Sequence, residues 1–513
     1  MALAGFDQPS RIRVAREAVW STALPAVMAT VIVGVSLQLA SRLEGQSVLV
    51  AGALAALVVL PAWLVLSTNY AVSLAILLLY LGLIDGVLKL KLDSPAATLG
   101  RDILLYSIVF GAVLRMLADR RPLRLPPLTG YVLAFVVIVF VQVFNPGTEG
   151  IVRGLAAARP HLEFVPLFFF GYVIMREPHR VRTYLLLLCI MGAANGVVGL
   201  IQFNLSPEQL ASWGPGYEER VLGTEGFAGA GGTFSDATGQ ERVRPFGLGS
   251  DIGAGGAWGV LAVPPLLALL GTARRRWAGR LGAPLGIGII LAVATSQSRS
   301  IVLAAVLGAV VFAALAAAST RRATALGAIA VVLALTVGVT SSLTGGRGND
   351  VTRYSGIGPS NVVGTTYDSR QGTLAAIPDY ASRFPLGAGL GLVGPATGFG
   401  RETDSVAALN GESQFTFLLV EVGIAGMLIL LALHGRFLLL SRRLRSVEDP
   451  ELRLLLAGCA ASMFALAGLW LSGPITATSP SAPFFWFTGG LLVSWLAGST
   501  MTRQGLAPEH DGR

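Results

Sequence analysis

Four residues have the types and settings that could do chemistry: Arg244 in RVRPFGLGSDIG, Arg299 in TSQSRS, Arg370 in DSRQGT and Glu412 in GESQFTF. Arg244 precedes a long apolar run, Arg299 lies in the tight connection between two, Arg370 begins the segment that approaches another, and Glu412 opens that one; a charge near the membrane is costly unless it is paired or solvated. A guanidinium fork matches phosphate oxygens two at a time. A carboxylate within reach of a hydroxyl can take its proton. Three cations and one base could therefore bind a phosphate and activate a hydroxyl. A structural alternative stands beside each residue. The arginines can lie along the membrane interface, or pair with a loop acid such as Asp251 or Asp368. Glu412 can simply favour the start of a helix capped by Asn410. The functional reading instead expects Glu412 to be partly buried at the mouth of a helical bundle, as a general base. Arg153 and Arg159 are weaker candidates of the arginine type.

Other residues are set aside. Glu421 follows Glu412 by nine positions, which on a helix is about half a turn away in azimuth and about 13 Å deeper. It cannot share a site with Glu412 and is expected to pair with a buried donor. Gly423 and Gly426 return to the Glu412 face, as a close helix contact would require. Gly389, Gly391 and Gly394 spell GxGxxG, but without the strand and helix of a nucleotide-binding unit. That segment is expected to be turn-rich, with close backbone approach. His161 reads as an interfacial residue, and His179, His434 and His510 fall at the opposite side. Cys189 and Cys459 lie in apolar runs and suit core packing. No metal-ligand or Walker pattern is present, and no cofactor is expected.

The elements that must hold these residues are membrane helices. The chain of 513 residues is 53% apolar and only 13% charged, with a mean hydropathy of +0.67. Taking runs of about 17–25 apolar residues as spans, fourteen are expected. In order they are 18–40, 47–67, 70–89, 99–117, 128–144, 162–175, 181–205, 252–270, 283–295, 300–318, 323–343, 414–434, 454–471 and 483–499. The expected fold is all-α, a polytopic bundle of about 12–14 spans forming a single integral membrane domain over residues 1–513. With the N-terminus cytoplasmic, the inner connections at 119–124, 176–182, 274–280, 321–322 and 434–445 are rich in arginine, as the positive-inside rule requires. The same parity puts 145–161, 206–251 and 344–411 outside. The last is the large external loop, and aromatic residues in these loops argue for short ordered elements. The formal charge of +9 comes from scattered arginine clusters and does not indicate a nucleic-acid partner. No two-half symmetry of the transporter kind is visible.

Three stretches together resemble a known family. RPFGLGSDIGAGGAWGVL (244–261), SQSRSIVLAAVLGAVV (296–311) and the segment from DSRQGT through PLGAGLG to ESQFTFLLVEVGIAG look like the bacterial O-antigen ligase and polymerase superfamily, membrane glycosyltransferases of the GT-C type. The resemblance covers the C-terminal half. It implies a polyprenyl-diphosphate-linked oligosaccharide donor, membrane lipid around it, other polysaccharide-assembly proteins as neighbours, and metal-independent transfer on the outer face of a bacterial inner membrane. It assigns Arg244, Arg299 and, less closely, Arg370 to the diphosphate. Ligases of the family carry a His-Asn pair where this chain has Glu412 and Ser413, a departure that favours a polymerase. A glycan ligase and, from another class, a lipid-linked-glycan flippase are the alternatives.

Overall fold

The computed structural model describes residues 59–93, 95–118, 125–223, 232–235, 241–272, 278–316, 362–396, 409 and 411–497. It is 78% helical. The expected spans 18–40 and 323–343, and the expected cap Asn410, lie outside the described residues. The chain falls into two compact units, Met1–Leu77 with Pro95–Leu123, and Leu78–Ser94 with Arg124–Arg513.

The helices are α1 (Tyr70–Leu83), α2 (Asp85–Leu92), α3 (Pro95–Ala118), α4 (Thr129–Gln142), α5 (Ile151–Leu162), α6 (Pro166–Ile174), α7 (Pro178–Phe203), α8 (Pro207–Ala211) and α9 (Pro215–Leu222). After a two-stranded hairpin come α10 (Ala254–Thr272), α11 (Ala283–Thr295), α12 (Arg299–Ala316), α13 (Val362–Arg383), α14 (Gln414–Leu440), α15 (Pro450–Gly468) and α16 (Ser481–Leu496). In the first unit, Arg115 of α3 caps the helix ending at residue 66: its guanidinium donates to Ser67 O and, at 3.0 Å, to Val65 O. Cationic side chains satisfy a helix's last carbonyls in this way.

Five helices are long and apolar enough to cross a membrane: Pro178–Phe203, Ala254–Thr272, Arg299–Ala316, Gln414–Ser446 and Pro450–Leu471. The bent pair α1 and α2 makes a sixth if it is one span. This is the character of a membrane protein. Several expected spans are shorter or broken. The run 70–89 bends by 45° between α1 and α2, where Ile84 leaves the helical region and Asp85 is buried. The run 162–175 yields only the nine residues of α6, which opens at Pro166 inside the apolar stretch. The last turn of the run 414–434 is also not an end: α14 continues to Leu440, and His434 is buried against Trp470 and Phe485 with its Nε2 3.1 Å from Met463 O.

In the second unit α7 packs on α10 and α11, α15 covers α10 and α12, and α16 lies on α6. Small residues set the spacing. A Cβ on Gly196 of α7 would collide with Gly288 O of α11, and one on Gly490 of α16 with Phe168 O of α6. Between α7 and α10 the described residues of the loop 206–251 form regular elements. It carries α8, α9 and an antiparallel hairpin of β1 (Thr233–Ser235) and β2 (Glu241–Val243), the strands being a departure from all-α. Leu90, Leu210, Tyr217, Val221, Val243 and Phe246 form its own apolar core. Burial pushes the Tyr217 phenol up to about 12.

The unit has two distinct ends. Arg182 at the start of α7 meets Glu451 at the start of α15, with 2.8 Å between Nη1 and Oε1. Arg443, after α14, donates to Leu496 O at the end of α16, and Trp495 donates to Met175 O. The arginine-rich connections 176–182 and 441–446 therefore gather at one end. α7 carries the chain about 30 Å from Arg182, at 1.5 Å per residue, to Gln202 and the candidate site.

Candidate functional site

At the far end of α7, two buried amides hold the backbone that presents Arg244. Gln202 Oε1 accepts from Phe246 N at 2.9 Å and Gly247 N at 2.8 Å, while its Nε2 donates to Gly247 O at 2.9 Å. Two turns earlier on the same face, Asn195 Oδ1 accepts from Leu248 N at 2.9 Å, and its Nδ2 donates to Gly82 O. Gly247 has φ +65° and no room for a Cβ beside Asn195 and Gly255. The PFGLG stretch thus turns tightly onto α10, whose Gly255 N donates to Phe246 O. Arg244, two residues upstream, is half-buried.

The next residue of α10, Gly256, packs on Ser296 and Ile301, so the same helix start also braces the turn carrying Arg299. In that turn Gln297 is 1% exposed and sits at φ +52°. A non-glycine residue in the left-handed region persists only where its surroundings over-determine it, and such outliers cluster at functional sites. Arg299 opens α12 and is half-buried. The N-termini of α10 and α12 lie together here, adding backbone N–H groups and positive potential suited to an anion.

α13 packs on both α12 and α14. Arg370 Nη1 donates to Glu412 Oε2 at 3.3 Å, with the arginine side chain 23% and the glutamate 69% exposed. The expected partial burial of Glu412 is therefore not what is found. Nor does Glu412 lie in the first helical turn. Ser413 is the N-cap, its Oγ accepting from Thr416 N in a capping box, and Glu412 precedes it. Since α14 ends beside the arginine-rich end, its start belongs to the same end as Gln202, Arg244 and Arg299.

α14 is broken. Gly423 has φ +70° and ψ −173°, separating a half-helix, Gln414–Val422, from the remainder. The segment that follows α13 fills the break. Ile424 N, which would bond to Val420 O in a regular helix, donates to Pro385 O at 3.0 Å; Val420 O accepts from Ala388 N at 2.6 Å. Gly423 therefore does not serve helix packing as expected. Its Cα side is pressed against Pro385, Leu386 and Gly387, where no Cβ fits. The glycine-rich segment is the turn-rich, closely approached backbone expected, with positive φ at Gly387, Gly389, Gly391 and Gly394. Gln142 Nε2 donates to Leu386 O and Thr148 Oγ1 accepts from Leu390 N, fixing the same segment to the end of α4.

Glu421 is 1% exposed, with the buried donor expected of it. Its Oε1 accepts from Gly391 N at 3.0 Å and Val393 N at 3.3 Å, and a 2.6 Å hydrogen bond joins its Oε2 to His161 Nε2. The GxGxxG amides are thus directed at an internal carboxylate. His161 is not interfacial: it is 2% exposed and stacked on Phe417 at 4.8 Å. Arg153 pairs with Glu149, and Arg159 Nε lies 3.7 Å from the buried Glu163, each with an acid one helical turn away. Asp251 pairs with Arg220 at 3.1 Å.

Among the described residues, no group of three or more His, Cys, Asp or Glu side chains is placed to hold a metal ion. Compared with family models, with curated proteins and with solved structures, the chain matches none.

Proposed function

We propose that this chain is a GT-C-type membrane glycosyltransferase that polymerises polyprenyl-diphosphate-linked glycan units at the external face of a bacterial inner membrane. Its N-terminus is cytoplasmic. The observation that carries the reading is the Arg370–Glu412 pair at the start of α14, at the same end of the unit as Arg244 and Arg299.

In this reading Arg244, Arg299 and Arg370 hold the lipid diphosphate, helped by the N-termini of α10 and α12. The acceptor hydroxyl attacks the anomeric carbon of the donor sugar. Its proton passes to a Glu412 carboxylate oxygen as the new C–O bond forms. The bond from the anomeric carbon to the phosphate oxygen breaks, and its electron pair leaves with the polyprenyl diphosphate, where the guanidinium groups stabilise the charge. Preorganised cations act most strongly where water is scarce. Arg370 couples the two halves of this step, since it touches the base and belongs to the cation set.

A broken helix with an ionisable residue beside the break is also a transporter feature, and it favours the flippase reading. Against it, the break is filled by residues 385–388 of the chain itself, and the Glu421 carboxylate is satisfied by His161 and two amides. A transport site needs those groups open to cargo.

The test is transfer by purified protein in detergent, given lipid-linked repeat units. Wild type should lengthen chains with no second compartment present. Glu412→Gln should stay folded and lose elongation by at least about a hundredfold, the lower range for a general base. Wild-type chain lengths from that variant would remove Glu412 from catalysis.

A further inference from the structure

Glu421 and His161 lie too deep to meet the acceptor, yet every contact around them leads to the residues that would. α13 runs from Arg370 down to Arg383, thirteen residues or about 20 Å. The segment 385–394 then meets the break at Gly423 and climbs beside the half-helix from Ile424 to Phe417. Pro385 touches Ile424, Ala388 touches Val420, Gly391 and Val393 bond to Glu421, and Gly394 lies on the Phe417 ring. Gly411, next to Glu412, packs on Val393 and Gly394. From Glu412 to Gly423 is eleven residues, about 16 Å of helix. The two arms are therefore nearly equal in length, closed at the top by Arg370 and Glu412 and at the bottom by the broken helix.

Backbone bonds at the break tie the two arms to each other. What ties them to the surrounding bundle on the α5 side is the 2.6 Å bond between Glu421 and His161, together with the stacking of His161 on Phe417. Glu421 is the centre of this arrangement. One oxygen holds the climbing segment through two amides, and the other holds α5. Phe135 of α4 adds an edge-on contact to the His161 ring, so the imidazole is fixed on two sides.

We infer that Glu421 and His161 are positioning residues for the transfer reaction. By locking the segment 385–394 and the half-helix 414–422 to α5, they set where Arg370 and Glu412 stand relative to each other and to the diphosphate. This rests on the function proposed above and adds to it a requirement that Glu412 alone does not express. Displacements of about 1 Å by distant substitutions can lower turnover by about a hundredfold.

The experiment compares Glu421→Leu, Glu421→Gln and His161→Gln in detergent, reading hydrogen exchange and glycan transfer on the same preparations. Glutamine at 421 keeps an acceptor for the Gly391 and Val393 amides and a polar partner for His161, whereas leucine keeps neither. Glu421→Leu should raise exchange at least about tenfold, the effect of about 1.4 kcal/mol, in both 385–394 and 411–416. It should lower kcat by about ten- to a hundredfold while KM for the lipid-linked donor stays within about threefold. Glu421→Gln should restore most of both. His161→Gln, which leaves the Glu421 amide bonds in place, should give the same pattern more weakly and serves if Glu421→Leu does not fold. Wild-type kcat in a variant with fast exchange at 411–416 would overturn the inference. So would unchanged exchange at 411–416 in Glu421→Leu. If wild-type protein transfers no glycan, or Glu412→Gln transfers normally, the proposed function fails instead, and the exchange at 411–416 alone decides whether the lock holds the segment carrying Glu412.

Discussion

At the scale of single residues, the contrast between Glu412 and Glu421 separates two uses of one side chain. Glu412 is exposed and touches a guanidinium across the gap between two helices; Glu421 is buried, with both oxygens bonded. Only the first can exchange a proton with a visiting hydroxyl. Arg370 should then be sensitive to shape as well as charge. Arg370→Lys keeps the cation but loses the planar fork, and should lower kcat/KM for transfer by about ten- to a hundredfold, the size of a lost charge-assisted bond. A lysine variant with wild-type kinetics would mean that Arg370 supplies charge alone. The sequence made the separation of the two glutamates legible through their spacing of nine positions, although Glu412 stands before the N-cap rather than on the helix as that spacing assumes. It did not reveal His161 as the partner of Glu421, since 260 residues lie between them and no local pattern joins them. Nor did it reveal Gln202, a residue that looks unremarkable in an apolar helix until the loop it holds is seen.

At the scale of elements, hydropathy finds helices well where the chain is uniform and poorly where it is interrupted. α11 occupies residues 283–295, the limits expected from the sequence, and α10 and α12 shift by two residues or fewer. The breaks at Ile84 and Gly423 were not legible, because a window of about 20 residues averages over a single non-helical position. What repairs each break is a distant segment, which hydropathy does not see. The same logic makes the Gln202 anchor testable. Gln202→Leu fits the apolar face of α7 but leaves Phe246 N, Gly247 N and Gly247 O without their partner, at about 1–3 kcal/mol for each stranded group. Thermal unfolding in detergent should fall measurably, and transfer should fall through KM for the lipid-linked donor, since Arg244 is what the loop presents. Gln202→Glu retains the acceptor for the two amides but sets a carboxylate oxygen against Gly247 O, and should recover only part of the stability. Equal effects from leucine and glutamate would show that the loop does not depend on this side chain.

At the scale of the whole molecule, the second unit is polarised. The arginine-rich connections 176–182 and 441–446 lie at one end, joined by Arg182 with Glu451 and Arg443 with Leu496 O, while the candidate site occupies the other. The parity of spans read from the sequence expects 176–182 and 434–445 on one side, although it counts α6 and the bent α1–α2 pair as ordinary crossings. The orientation can be measured directly. Cys189 and Cys459 are buried, so the native background to a thiol probe is low. His179→Cys and Asp251→Cys place single thiols at exposed positions near opposite ends. In intact cells an impermeant maleimide should label the Asp251→Cys protein and spare the His179→Cys protein until the cells are opened. Labelling of both from outside, or of His179→Cys alone, would reverse or abolish the proposed sidedness.

The exchange of hydrogen bonds at Gly423 also bears on how the protein is built. In a bilayer an open backbone N–H or C=O costs several kcal/mol, and α14 cannot close its own ladder at Ile424 and Val420. The closing groups, Pro385 O and Ala388 N, are synthesised some thirty-five residues earlier, so they have left the ribosome before the helix that needs them. The half-helix is therefore completed by a segment that precedes it in the chain, so its closure does not depend on any residue still to be made.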